Sequence, residues 1–166
     1  MARDVVMVNG LPGSGKSTLG PVLALELGAS YLSKDRVKEA LASAAGVSVP
    51  GLGGIAMDTV YALARALDGI VVIDSWWFRP RDFSYASAAV DFAVEVWCDV
   101  PASLARSRFV ARRRSALYED AERLAPSWDR WAAEAAPLGL GPVIRVDTSG
   151  PVDVPALAAA VKTALR

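Results

Sequence analysis

The chain contains no histidine and no glutamine, one asparagine (Asn9) and one cysteine (Cys98). Without histidine, neither a Ser-His-Asp triad nor a Cys-His pair can be assembled. A zinc site built on His or on several Cys is excluded as well. A single Cys allows no internal disulfide, so the chain needs no oxidising compartment. Charge of either sign is not in excess: 18 Lys and Arg face 18 Asp and Glu. That balance argues against a nucleic-acid footprint and against acidic disorder. No apolar run is long enough to span a bilayer, and Met1-Ala2-Arg3-Asp4 lacks the layout of a signal peptide. These absences predict a cytoplasmic protein with no membrane partner. Its chemistry must use carboxylates, Lys, Arg, hydroxyls, backbone amides or a hard metal ion.

What is present is apolar and rich in alanine, with 53% hydrophobic residues among 166. That length suits one domain over residues 1–166, able to bury about 70% of its unfolded surface. Val5-Val6-Met7-Val8 reads as a buried parallel strand. A Gly-rich loop follows, then a helix from Ser17 to Leu27 in which Pro21 predicts a kink or an irregular start. Tyr31 to Ser33 reads as a short strand and Asp35 to Ala44 as a helix. Gly46 to Gly54 reads as loop, and Ile55 to Leu67 as a helix with one apolar face. Ile70 to Ile73 is a strand ending at Asp74, Ser84 to Ala89 a short helix, and Phe92 to Asp99 a strand. Pro101 opens a helix that runs into an Arg cluster at 112–114. Tyr118 to Ala136 reads as helix, Val143 to Val146 as the last strand, and Val154 to Leu165 as the closing helix. This alternation predicts a three-layer α/β domain around a parallel sheet, with ligands at the carboxyl ends of the strands.

Gly10-Leu11-Pro12-Gly13-Ser14-Gly15-Lys16-Ser17 matches the phosphate-loop pattern G-x-x-x-x-G-K-[ST]. Its glycines let the backbone wrap so that amides point at phosphate oxygens. The helix that follows adds the positive end of its dipole. Gly10, Gly13, Ser14, Gly15, Lys16, Ser17 and Thr18 are therefore candidate nucleotide-binding residues. Lys16 would reach the β and γ phosphates, and the Ser17 hydroxyl would ligate Mg²⁺. A base reader of the Asn-Lys-x-Asp type cannot exist, since Asn9 is the only Asn. A Ras-type water-positioning Gln is equally impossible. A small phosphotransferase remains.

The run from Gly10 to Leu19 resembles the loop of the small P-loop kinases. That group, which includes AAA-like domains, takes in shikimate- and gluconate-kinase-like proteins, chloramphenicol phosphotransferase and the polynucleotide kinase domain. Ser33 to Glu39, Val71 to Asp74, Arg108 to Arg112 and Val146 to Thr148 fit the same pattern more loosely. The resemblance implies the P-loop NTPase fold, an α/β/α arrangement with a five-stranded parallel sheet in the order 2-3-1-4-5. It also implies a helical lid over about residues 108–130.

In the families it resembles, an Asp at position 35 accepts the proton of the acceptor hydroxyl; a helix N-cap would explain Asp35 equally well. Asp74 stands where a Walker-B-like carboxylate would, for metal or for substrate, unless it only closes a strand. Arg108 and Arg112 share a helix face and match the lid pair that packs on the nucleotide and neutralises the transferring phosphoryl; Arg106, Arg113 and Arg114 compete with them. By the same resemblance Thr148, in the loop Asp147 to Gly150, would border the adenine, unless that loop is a plain turn before the final helix. Trp76 and Trp77 cannot both enter one small core. One packs and one is exposed, or together with Arg79 they form an acceptor wall and an anionic anchor. Arg36 could meet an acceptor phosphate or base. Trp128 and Trp131 read as core or lid packing, and Cys98 as an inert buried thiol.

The expected activity is an ATP- and Mg²⁺-dependent kinase transferring the γ-phosphoryl group to a hydroxyl of a small molecule such as a sugar, aminocyclitol or antibiotic. The alternatives are a nucleoside or nucleotide kinase and a nucleotide-binding regulatory or toxin-like protein. The neutral charge disfavours a nucleic-acid acceptor. The oligomeric state, monomer or homodimer, is left open.

Overall fold

The computed structural model describes residues 4–112 and 120–166. Five strands form one sheet: β1 (Asp4–Asn9), β2 (Ser30–Ser33), β3 (Ile70–Asp74), β4 (Val94–Asp99) and β5 (Val143–Asp147). Their order is β2-β3-β1-β4-β5, and every pairing is parallel. This is the sheet of the P-loop NTPase fold, in the order that the resemblance implies. The helices are α1 (Lys16–Leu27), α2 (Lys34–Ala45), α3 (Leu52–Ala66), α4 (Arg79–Ala89), α5 (Ala102–Ala111), α6 (Asp120–Glu134) and α7 (Val154–Ala164).

Side chains alternate across the central strands, so each face of the sheet builds its own core. Val5, Met7, Val71 and Ile73 pack against α3 through Met57, Val60 and Tyr61. Val6, Val8, Val72 and Val96 pack against α1 and α7 through Leu19, Leu23, Leu157 and Val161. A third cluster of Leu11, Ala105, Phe109 and Trp128 joins α5 and α6 to the phosphate loop. The register aligns Val8 with Asp74 and Asn9 with Trp97, which brings the functional strand ends to one edge.

Several boundaries differ from expectation. Helix α1 runs uninterrupted through Pro21, although proline removes one backbone donor there. Gly20 beside it accommodates the Tyr31 ring, which lies 2.8 Å from where a Cβ would stand. Helix α3 starts at Leu52 and takes Gly53 and Gly54 into its first turn; buried Leu52 anchors an end that the glycines disguised. Helix α4 starts at Arg79 rather than Ser84, because Pro80 suits a first turn and the Asp82 carboxylate accepts the Phe78 N–H at 2.8 Å. Strand β4 starts at Val94 rather than Phe92.

Candidate active site

The phosphate loop connects β1 to α1, with Gly10, Gly13 and Gly15 all at positive φ. Gly13 has no alternative: a Cβ there would collide with the Ala105 carbonyl. The Lys16 ammonium donates to the carbonyls of Gly10 and Leu11 at 2.8 Å each. Burial pushes its pKa down from 10.5 to about 8, against the pull of the Asp74 carboxyl. The Ser14 hydroxyl oxygen is buried with no partner among the described residues, while the Ser14 carbonyl accepts from the Thr148 hydroxyl at 2.6 Å.

Asp74 ends β3 at 3% exposure. It accepts from the Tyr31 hydroxyl at 3.0 Å and from the Ser17 hydroxyl. Burial raises its pKa, and Lys16, Ser17 and Tyr31 oppose that rise. Asp35 stands in the first turn of α2, near enough to Lys16 to favour its charged form. Lys16, Ser17, Asp35 and Asp74 all line one cavity of about 530 Å³.

Arg108 and Arg112 divide their duties. Arg108 donates to the carbonyls of Thr148 and Ser149, both at 2.9 Å, and so fixes the loop after β5. Arg112 lines the cavity, and its charge lowers the pKa of Lys16. Thr148 is further held by its N–H to the Asp99 carbonyl at 3.0 Å. Arg106 lines a separate groove between α5 and α6. Arg113 and Arg114, with part of the expected lid, lie outside the described residues.

The tryptophan pair splits. Trp77 is in the core, its indole N–H donating to the Tyr61 hydroxyl at 3.1 Å. Trp76 is half-buried, lies 6.0 Å from the Lys16 ammonium and meets Trp131 edge-on. Both contribute to the cavity lining. Arg79 does not: its guanidinium donates to the Leu138 carbonyl at 3.2 Å and sits over Phe83. Arg36 is exposed and also outside the lining. On a helix, position 36 points away from the face shared by 34, 35 and 38, so Lys34 and Lys38 reach the cavity instead. That periodicity was a signal available in the sequence. Arg81, Asp82 and Tyr85 of α4 also line the cavity; Arg81 and Asp82 precede the helix start read from the sequence, and no motif marks Tyr85 inside it. Cys98 is buried, its thiol pushed up to about 12 by desolvation, as expected of an inert thiol.

Glu95 carries no motif. At 1% exposure it accepts from the Asn9 side-chain amide at 2.9 Å and from the backbone N–H groups of Leu138 at 3.0 Å and Gly139 at 2.9 Å. Asn9 in turn accepts from the N–H groups of Gly10 at 2.8 Å and Trp77 at 3.1 Å. A buried polar network thus braces the start of the phosphate loop against the segment carrying the tryptophans.

A family model described as an AAA domain matches residues 5–138. A cytidylate kinase of Ignicoccus hospitalis is 34% identical over 129 residues, covering 70% of this chain and 69% of that protein. Among solved structures, a Chloroflexus aurantiacus protein thought to be a kinase superposes with a TM-score of 0.78 at 22% identity, over 100% of both chains. A gluconokinase of Sinorhizobium meliloti has a TM-score of 0.54 at 16% identity, over 98% of this chain and 91% of that one. These two structures bear on the fold. The chain belongs to the AAA domain family of P-loop kinases.

Proposed function

We propose that this kinase transfers the γ-phosphoryl group of ATP onto a hydroxyl of a small molecule, with Mg²⁺. The observation that carries this reading is the convergence of Lys16, Ser17, Asp35 and Asp74 on one cavity of about 530 Å³. Lys16 and the loop amides hold the β and γ phosphates. The exposed Ser17 hydroxyl and the buried Asp74 carboxyl are hard oxygen donors in contact, a set that fits Mg²⁺. Such an ion, when bound, neutralises phosphate charge. Tyr31 holds the Asp74 carboxyl in place.

Asp35 faces the acceptor side and takes the proton of the acceptor hydroxyl. That oxygen bonds to the γ-phosphorus as the bond to the β–γ bridging oxygen breaks, and ADP leaves with both electrons of that bond. Arg112 meets the charge spread over the transferring group. Arg108 acts at one remove, by fixing the Thr148-Ser149 loop that borders the nucleotide. The described residues 108–112 and 120–130 belong to the lid of a single domain. A second reading, phosphorylation of a nucleoside or nucleotide, draws on the likeness to a cytidylate kinase.

ADP release measured across sugars, aminocyclitols, antibiotics, nucleosides and nucleoside monophosphates tests the reading. Asp35→Asn should lower kcat about a hundred- to ten-thousandfold, the usual weight of a general base. Turnover near the wild-type rate would remove Asp35 from that role.

A further inference from the structure

The acceptor half of the cavity is distinguished by a missing kind of side chain. The chain has no Gln and no His, and its only Asn lies at 0% exposure with its amide engaged by Glu95 and the Trp77 backbone. No side-chain amide or imidazole can therefore reach the cavity from anywhere in the sequence. Neutral polyols and nucleobases are read best by groups that donate and accept together, which amides and hydroxyls do and ammonium groups do not. Among the described lining residues the acceptor half offers only the Ser75 hydroxyl and the Tyr85 hydroxyl, the latter engaged by Asp58.

Ionic groups occupy that half instead. Lys34 and Lys38 are four apart on α2 and flank Asp35, and Arg81 and Asp82 face them from α4. The Lys34 ammonium lies 3.8 Å from where a Cβ on Gly53 would stand, so the glycine leaves that charge accessible from the α3 side. Asp82 is already committed to the protein, through Arg81 at 2.7 Å by two contacts and through the Phe78 N–H. Lys34 and Lys38 also have partners within the protein; what they bring to the cavity is charge. With Lys16 and Arg112 assigned to the phosphates of ATP and Asp74 to Mg²⁺, the lining leaves Lys34, Lys38 and Arg81 facing Asp35 and Asp82, an excess of one positive charge. Trp76 and Met57 supply an apolar wall.

We infer that the acceptor is itself an anion: a small hydroxylated molecule whose own carboxylate or phosphate group sits against Lys34, Lys38 and Arg81, with its carbon skeleton on Trp76 and Met57. This deepens the phosphotransferase reading and rests on it. The anion is a handle and not the attacking group. The phosphoryl group is still received by a hydroxyl beside Asp35, whose proton passes to that carboxylate as ADP departs.

Matched acceptor pairs that differ only in the anion provide the test, with the full chain, ATP and Mg²⁺: glucose and glucuronate, glycerol and glycerate, ribose and its phosphomonoester, cytidine and its monophosphate. The carboxylate and phosphate arms separate the two sources of charge. The anionic member should show kcat/KM at least about tenfold above its neutral partner, as one charge-assisted contact would give. Lys38→Met should raise KM for that acceptor about tenfold, leave KM for ATP within about twofold, and remove most of the preference over the neutral partner, while Lys38→Arg restores it. A neutral member that is used equally well would overturn the inference and leave the kinase reading standing. So would an unchanged acceptor KM in Lys38→Met, or transfer onto the phosphate oxygen of the monophosphate. Absence of transfer to every hydroxyl, with ATP still bound, would overturn the phosphotransferase reading and the inference with it.

Discussion

Removing the Glu95 carboxylate while leaving its neighbours in place should be costly in a graded way. In Glu95→Ala, three N–H donors lose their acceptor: the Asn9 amide, the Leu138 N–H and the Gly139 N–H. Gly139 is exposed and can turn to water. Asn9 and Leu138 are at 0% and 1% exposure and cannot, though Asn9 keeps the Trp77 carbonyl at 3.2 Å. Two buried donors at about 1–3 kcal/mol each give a loss of about 2–5 kcal/mol once that remaining bond is allowed for. For a domain of this size the loss corresponds to a fall in Tm of roughly 5–20 °C. In Glu95→Gln, an amide carbonyl in the place of Oε1 retains the Asn9 and Leu138 bonds and gives up only the exposed Gly139 contact, at about 1 kcal/mol. Urea unfolding followed by tryptophan fluorescence measures both variants. Glu95→Ala within about 0.5 kcal/mol of wild type, or Glu95→Gln worse than Glu95→Ala, would refute the network's role.

Further outcomes follow from two buried titratable groups. The free enzyme's Lys16 loses its proton near pH 8, so kcat/KM for ATP should fall as pH rises through that value, while kcat falls later because bound phosphate favours the ammonium; a pH profile of both constants checks it. The same group has a folded value below its usual 10.5. The unfolded chain therefore binds more protons between the two values, and this group's effect is to make stability rise with pH across that window. Cys98, buried and pushed up to about 12, should resist aromatic disulfide reagents in the native protein and react stoichiometrically only in denaturant, as absorbance of the released thiolate would report.

The central sheet and the nucleotide end of the cavity were legible because short-range rules govern them. An apolar β-branched run before Gly10, the glycine spacing to Lys16 and the apolar strand ending at Asp74 each announce themselves locally. The acceptor end depends on which face of a helix turns inward. Position 36 was assigned to the site on adjacency to Asp35, yet helical geometry carries Lys34 and Lys38 there instead. Helix α4 was begun too late because the cap is made backwards, from Asp82 to the Phe78 N–H. That first turn carries Arg81 and Asp82 to the cavity and turns Arg79 away from it, to the Leu138 carbonyl. Glu95 was invisible for another reason. It looks like any charged residue in a strand, and only the long-range pairing of β4 with the start of the phosphate loop and the segment at 138–139 makes it a buried acceptor.

The central claim is that the phosphate loop delivers a phosphoryl group from ATP to a hydroxyl. Phosphorus NMR of ATP and Mg²⁺ incubated with the wild-type chain and an accepted substrate should show a new phosphoester resonance growing in step with ADP. Lys16→Ala, folded by circular dichroism, should show neither. Inorganic phosphate appearing in place of the ester, or an ester formed equally well by Lys16→Ala, would contradict the account.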